Sequence, residues 1–150
     1  MRKASRIPES RSGFSLVELL LILVMISLIA AIAVPNLQRA VLRARAADAL
    51  SDLNVVKVAV LNYQGQNTAW PPDDGTGQVP PGLETYLPDG FTFTDEDYEL
   101  DYENWTGASP GIVAVTLVTS NQELGLAVLD MLGTNSWTDG SQKYTWVIEW

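Results

Sequence analysis

The sequence predicts an α+β protein in which one long N-terminal helix packs on a small antiparallel sheet. The first observation is an almost wholly apolar run over residues 14–34, where only Ser15, Glu18 and Ser27 are polar. The second is a stripe of apolar residues at helical spacing that follows this run. The third is a strand-like alternation of apolar and polar residues in the last third of the chain. With 150 residues, the chain has room for one compact domain and an anchor.

The long helix is predicted over residues 14 to about 64 and has two halves. About 20 apolar residues span the hydrocarbon core of a bilayer, so residues 14–35 are predicted to form a transmembrane half. Residues 36–64 form an amphipathic half, because apolar residues recur there at alternating steps of four and three. We expect this half to pack on the protein's own sheet; a free-standing coiled coil is disfavoured because only three heptads are present. The stripe comprises Leu42, Ala46, Ala49, Leu53, Val56, Val60 and Tyr63, widened by Leu50 and Leu61.

Residues 65–150 are predicted to form a globular head. It begins with a loop over residues 65–94 that is rich in proline and glycine. Strands are predicted at 97–103, with an acidic outer face, at 112–119 and at 144–150. Asn121 is expected to cap a short helix that ends near Leu132, with Gly133 as its stop. Three strands with one apolar face need a cover, and the stripe on the long helix supplies it.

Charge is strongly segregated along the chain. From residue 64 onward, Lys143 is the only basic residue beside fourteen acidic ones. Such a head repels phosphate backbones, so we do not expect it to bind nucleic acid.

The absence of cysteine and histidine excludes disulfides, Ser-His-Asp triads and Cys/His zinc sites. No carboxylate pair is marked by an apolar pocket or a fixed spacing, so no catalytic residue is assigned and an enzyme is not expected. The first 13 residues, by contrast, carry Arg2, Lys3, Arg6 and Arg11 against Glu9.

Residues 13–20 are Gly-Phe-Ser-Leu-Val-Glu-Leu-Leu, directly after this basic segment and directly before the apolar run. Over residues 13–36 the chain resembles the type IV pilin-like superfamily, which includes type IV pilins and type II secretion pseudopilins. The matching features are a glycine at the cleavage point, Gly13, an aromatic residue next, Phe14, and a glutamate four residues later, Glu18. The resemblance implies a leader peptide over residues 1–13, cut after Gly13 by a prepilin peptidase, and N-methylation of Phe14.

The same resemblance implies a structural filament subunit with residues 14–35 in the filament core. Its implied partners are copies of itself or related pilins, the prepilin peptidase and the inner-membrane assembly machinery. The precursor would be a single-pass protein of the bacterial inner membrane, with a cytoplasmic N-terminus and an extracytoplasmic head. The mature chain would then enter a filament in the periplasm or at the cell surface.

Glu18 is an acidic residue inside the apolar run. Fourteen of residues 14–34 are Leu, Ile, Val or Phe, which together favour insertion by about 4–8 kcal/mol. A charged side chain at mid-bilayer costs about 2.5–3.5 kcal/mol on the same scale, so insertion is favoured even with Glu18 ionised. The family implies that this carboxylate pairs with the α-amine of Phe14 in a neighbouring subunit. The alternative is a carboxylate that lies among cytoplasmic lipid headgroups.

Two other functions are predicted if the N-terminus is cut at a different site or is not cut. Ala31-Ile32-Ala33 has the A-x-A form of a signal-peptidase site, which would release a soluble binding module starting at Val34. The apolar run is longer than the usual 7–15 residues of a signal peptide, which disfavours this alternative. A chain that keeps its leader would be a membrane-tethered binding module that forms no filament.

Pro35 lies at the predicted exit from the membrane. Proline removes the hydrogen bond to the carbonyl of Ala31, so a kink is expected there. Local bending or melting during filament packing is the alternative. Many pilins have a glycine about two turns earlier, and Ser27 stands there instead.

No cofactor is assigned, and calcium is the only ion for which the sequence offers candidate ligands. Carboxylates on a strand at 97–103 stand about 7 Å apart on one face and do not wrap an ion, so we expect a solvated surface. The loop 133–141 offers Asn135, Ser136 and Asp139 without EF-hand spacing. The tryptophans are expected to pack in the core or at its edge rather than line a carbohydrate site; Trp70 is expected to pack the loop on the helix near Tyr63. The others are Trp105, Trp137, Trp146 and Trp150.

Overall fold

A computed structural model of the chain describes residues 13–108 and 111–149. One helix, α1, covers Leu16–Asn67, and the division between two compact units falls within it, between Gln38 and Arg39. A four-stranded antiparallel sheet belongs to the second unit. The predicted α+β class, with one long N-terminal helix and a small antiparallel sheet, is confirmed. After α1 come β1 (Glu99–Asn104), β2 (Val113–Val118), α2 (Gln122–Leu132), β3 (Ser136–Thr138) and β4 (Lys143–Glu149), with short 3₁₀ turns at Glu84–Tyr86 and Gly133–Asn135.

The sheet has the strand order β1-β2-β4-β3, and its register decides which residues share a face. Leu100 pairs with Leu117, which pairs with Tyr144, so these three side chains point to one side. The same side is covered by helices. The Lys57 ammonium of α1 lies 4.1 Å from the ring centroid of Trp146, and Gly125 of α2 lies directly against the ring of Tyr144.

The apolar stripe on the second half of α1 packs into this core, as predicted. Its buried members are Ala46, Ala49, Leu53, Val56 and Val60, together with Ala59, which the sequence pattern had not included. Leu42 and Tyr63 are partly buried at the edge of the cluster. The inclusion of Leu61 was wrong, because its side chain is 40% exposed. Each residue turns a helix by about 100°, and one step past Val60 takes Leu61 away from the sheet.

The free edge of β1 is occupied by the preceding loop. The backbone N–H of Gly77 donates to the carbonyl of Leu100 at 2.8 Å, and the side-chain amide of Asn104 donates to the carbonyl of Pro71 at 2.7 Å. The N–H of Leu100 donates to Phe93 at 2.7 Å. The two bonds at Leu100 satisfy backbone edge groups that would otherwise be open to pairing with another chain.

Two details of the head differ from the sequence prediction. The first strand begins at Glu99 rather than at Asp97, because the N–H of Asp95 donates to the carbonyl of Tyr98 and folds this segment into a tight turn. The strand β3 lies in the segment predicted as a loop; with three residues it is too short to show an alternation. The short helix is confirmed: Asn121 accepts a hydrogen bond from the N–H of Leu124 at 3.2 Å, and Gly133 follows its end with a φ of 78°.

Candidate functional site

The start of α1 is the candidate site, because three of the four residues singled out by the sequence lie there. Gly13, Phe14 and Ser15 precede the helix, which begins at Leu16. The backbone N–H of Ser15 donates to Oε2 of Glu18 at 2.8 Å. In return, the Ser15 hydroxyl oxygen accepts from the N–H of Val17 at 3.3 Å. This reciprocal pair is a variant of the capping box in which the hydroxyl accepts from the second helical residue rather than the third. It satisfies backbone donors that a helix start leaves without intrahelical partners.

The capping box fixes where the helical hydrogen-bond ladder begins. The N–H of Leu19 donates to the carbonyl of Ser15 at 3.2 Å. The carbonyl of Gly13, which a peptidase would attack, therefore lies two residues before the first carbonyl of that ladder. The bond between Gly13 and Phe14 is in non-helical backbone.

Sequence reasoning assigned Glu18 a partner in another subunit and did not assign Ser15 any role. The signal was present, because Ser15-Leu16-Val17-Glu18 has the S-x-x-E form of a capping box before an apolar run. The leader itself, apart from Gly13, lies outside the described residues.

Downstream of this cap, α1 presents an apolar surface that nothing in the described part of its own chain covers. Every residue from 13 to 41 is exposed. Exposure of the large apolar side chains from Phe14 to Ile26 runs from 42% at Ile22 to 75% at Phe14. The helix is long and apolar enough to cross a membrane, and a signal sequence near the N-terminus meets the same test. Such a surface needs lipid or other protein around it.

Pro35 lies within α1, which continues through it without interruption. Beside it, the side-chain amide of Asn36 donates to the carbonyl of Ile32 at 3.1 Å. About two turns before Pro35, the Ser27 hydroxyl donates to the carbonyl of Leu23 at 2.7 Å. Bonds of this kind satisfy polar side chains within an apolar helix without a partner from outside. The expected kink at Pro35 stays a prediction.

The outer face of β1 is not the fully solvated acidic surface that the sequence predicted. The Asp101 side chain is only 5% exposed and lies 3.3 Å from the Lys143 ammonium. The Thr76 hydroxyl donates to the same Asp101 oxygen at 2.6 Å, and Glu103 lies 3.5 Å from Lys143. The prediction holds for Glu99, which is exposed, and was wrong for Asp101 and Glu103. Their partners come from distant parts of the chain, so no local pattern shows them.

The surroundings in this cluster raise the pKa of both Glu103 and Lys143. Burial raises the pKa of the Glu103 carboxyl, and the neighbouring charge of Asp101 adds to the increase. Burial by itself lowers the pKa of Lys143, but the charge of Glu103 and the hydrogen bond to Asp101 outweigh it, so the net shift is upward. Lys143 therefore stays charged and joins β4 to β1 across the intervening strand.

In the late loop, the carboxylate of Asp139 holds a turn. Its carboxylate accepts from the N–H and hydroxyl of Ser141, each at 2.9 Å, and from the N–H of Lys143 at 3.3 Å. The backbone bond from Ser141 is the main reason that the pKa of Asp139 is lowered. Ser136 donates to the carbonyl of Gly133 at 2.6 Å. Across residues 13–108 and 111–149, no group of three or more His, Cys, Asp or Glu side chains is arranged to hold a metal ion.

Of the tryptophans within the described residues, two meet the expected packing at the edge of the core and two, Trp105 and Trp137, are exposed instead. Trp70 and Trp146 lie at the edge of the core. Trp105 and Trp137 stack on each other with ring centroids 6.1 Å apart. Trp137 pairs with Thr145 in the register, so this stack lies on the side of the sheet opposite the helices. Trp150 lies outside the described residues.

Comparison with known proteins adds no assignment to this site. No protein-family model matches the chain, and no solved structure matches it.

Proposed function

We propose that this chain is a structural subunit of a type IV pilus-like or type II secretion pseudopilus filament. In this proposal a prepilin peptidase cuts between Gly13 and Phe14, the new amine of Phe14 is methylated, and residues 14–35 enter the filament core. The observation that carries the proposal is the position of this peptide bond. It lies in the non-helical backbone between a basic segment and a capped helix whose first half is apolar and exposed.

The exposed apolar surface supports a function in which this helix moves from a lipid bilayer into a filament. In a bilayer, lipid covers the side chains between Leu16 and Val34, and every backbone group is satisfied within the helix. In a filament, the same side chains are covered by helices of neighbouring copies. Since both environments are apolar, transfer from one to the other leaves the apolar surface covered throughout.

Glu18 supplies the one charge in this segment, and its geometry suits a second partner. One carboxylate oxygen accepts from the N–H of Ser15, whereas an ionised carboxylate has two oxygens and about four acceptor positions. The amine of Phe14 in a neighbouring subunit would neutralise the charge. Because a buried charge is costly unless it is paired, the pair would favour one axial register of neighbouring copies over others.

The acidic head affects how closely copies approach. Removal of residues 1–13 takes away four basic residues and one acidic residue, so the formal net charge changes from −9 to −12. Like-charged heads repel over a distance that salt shortens to about 10 Å at 0.1 M. We therefore expect filament yield to rise between very low and moderate ionic strength, and equal yields would contradict this.

Processing and assembly are tested together by expressing the full chain with a prepilin peptidase and the assembly machinery. The mature chain is expected to begin at N-methylated Phe14. Glu18→Ala is expected to insert and to be cut, but to give few or misassembled filaments in electron micrographs. Ser27→Ala is the matched control in the same apolar segment and is expected to assemble normally. Normal filaments from Glu18→Ala would refute the pairing role.

The second candidate is a secreted soluble binding module, favoured by the Ala31-Ile32-Ala33 site and by a helix that also fits a signal sequence. It would begin at Val34 and remain monomeric. A membrane-tethered module would keep its leader. The first residue of the mature chain separates all three functions.

A further inference from the structure

We propose that Ser15 is a positioning residue for leader cleavage: as the N-cap of α1, it keeps the Gly13–Phe14 bond out of the helix so that a peptidase can bind it. This inference rests on the proposed function, because it concerns the same peptide bond. It goes further in giving a role to a residue outside the Gly, Phe and Glu positions that carry the resemblance.

The geometry defines the boundary at Ser15. Its hydroxyl oxygen accepts from the N–H of Val17 and its own N–H donates to Glu18, so Ser15 is bonded to the first turn through both its side chain and its backbone. The first carbonyl of the ladder belongs to Ser15, and Gly13 and Phe14 stay in non-helical backbone. The Ser15 side chain thus determines that helix formation stops two residues short of the scissile carbonyl.

A peptidase that binds its substrate as an extended strand uses the substrate's main-chain hydrogen-bonding groups. In a helix these groups are already bonded within the chain, so cleavage proceeds only through the locally opened fraction. A scissile bond held outside the helix avoids this requirement. The fraction of precursor molecules whose scissile bond is open to the peptidase therefore depends on where the helix starts.

Removal of the Ser15 cap should move this start toward the leader. Within an apolar environment, fraying is disfavoured because unbonded backbone groups are costly there. The next residue upstream with a cap-forming side chain is Ser12. A helix that starts after Ser12 would contain both Gly13 and Phe14, and the scissile bond would lie in its first turn.

The experiment follows the rate of leader removal from the full-length precursor in membranes that contain a prepilin peptidase. Ser15→Ala is expected to slow cleavage roughly fivefold, which corresponds to the usual loss on replacing an N-cap serine by alanine. Ser15→Asn keeps a cap-forming side chain without a hydroxyl and is expected to restore the rate to within about twofold of wild type. Ser27→Ala is the matched control, because that serine bonds within the helix interior. Its rate is expected to equal wild type.

Two results would overturn the inference. One is Ser15→Ala cleavage at the wild-type rate. The other is Ser15→Asn cleavage as slow as Ser15→Ala, which would mean that the peptidase recognises the hydroxyl itself.

A separate readout distinguishes failure of this inference from failure of the proposed function. Backbone ¹³C shifts of the uncut precursor in bicelles report directly whether Phe14 is helical. Phe14 is expected to be non-helical in wild type and Ser15→Asn, and helical in Ser15→Ala. If wild type is not cut after Gly13, the proposed function fails, while an unmoved helix start in Ser15→Ala contradicts the cap's role whatever the cleavage result.

Discussion

Two tyrosines in the head should respond in opposite directions to the same substitution by phenylalanine. Tyr98 lies just before β1 and Tyr102 lies within it, and both rings belong to the buried core. The Tyr98 hydroxyl donates to Oδ2 of Asp52 at 2.6 Å. The Tyr102 hydroxyl is buried and has no hydrogen-bond partner among the described residues. Each substitution keeps the ring and removes only the oxygen.

The expected magnitudes follow from these two environments. A hydrogen bond to a charged group contributes about 1.5–3 kcal/mol. Because Asp52 is only half-buried, Tyr98→Phe should lower the free energy of unfolding by about 1.5 kcal/mol, at the low end of that range. A buried hydroxyl without a partner costs about 1–3 kcal/mol. Tyr102→Phe removes this cost and should leave stability unchanged or raise it by up to about 1 kcal/mol.

The assay is urea unfolding of the detergent-solubilised full chain, followed by tryptophan fluorescence at pH 7. The double variant is expected to give the sum of the two single effects unless the hydroxyls are coupled. The reasoning would be refuted if Tyr102→Phe were the more destabilising substitution, since the oxygen would then have a stabilising partner.

Further predictions concern the same head. Since burial raises the pKa of both tyrosines above 10.0, the folded state keeps protons that the unfolded chain loses at higher pH. Above pH 10, stability should therefore fall by about 1.4 kcal/mol per pH unit for each tyrosine, and a urea midpoint equal at pH 9 and 11 would contradict this. Gly125→Ala should destabilise by about 1–3 kcal/mol, because the added methyl group overlaps the Tyr144 ring. Gly65 is also helical but has open space around it, so Gly65→Ala should stabilise the fold by up to about 1 kcal/mol. Equal urea midpoints for Gly125→Ala and Gly65→Ala would contradict the packing argument. Lys143→Met leaves the buried carboxylate of Asp101 without its cation, and a loss of about 2 kcal/mol is expected by the same unfolding measurement, whereas an unchanged midpoint would show that the ion pair contributes nothing.

The features predicted correctly from sequence are those with a local, periodic cause. The stripe from Ala46 to Val60 followed from helical spacing alone, and all five of its residues in that span are buried. The cap at Asn121 and the stop at Gly133 followed from residue types with known terminal preferences. The alternation of Leu100 and Tyr102 correctly gave the buried side of β1.

The features missed depend on contacts between distant residues or on competition between two roles. Alternation placed Asp101 on the outer side of the sheet, but only the fold brings Lys143, 42 residues later, and Thr76, 25 residues earlier, to cover it. At the candidate site the capping pattern at Ser15 is visible in the sequence, yet the predicted partners of Glu18 were a neighbouring subunit or lipid headgroups and not its own backbone. The structure adds an intrachain bond to that same carboxylate.

The first residue of the mature chain tests the central claim most directly. Intact mass and N-terminal sequencing of the protein from assembly-competent cells are expected to give a chain that begins at N-methylated Phe14. A chain that begins at Val34, or one that retains residues 1–13, would contradict the filament function.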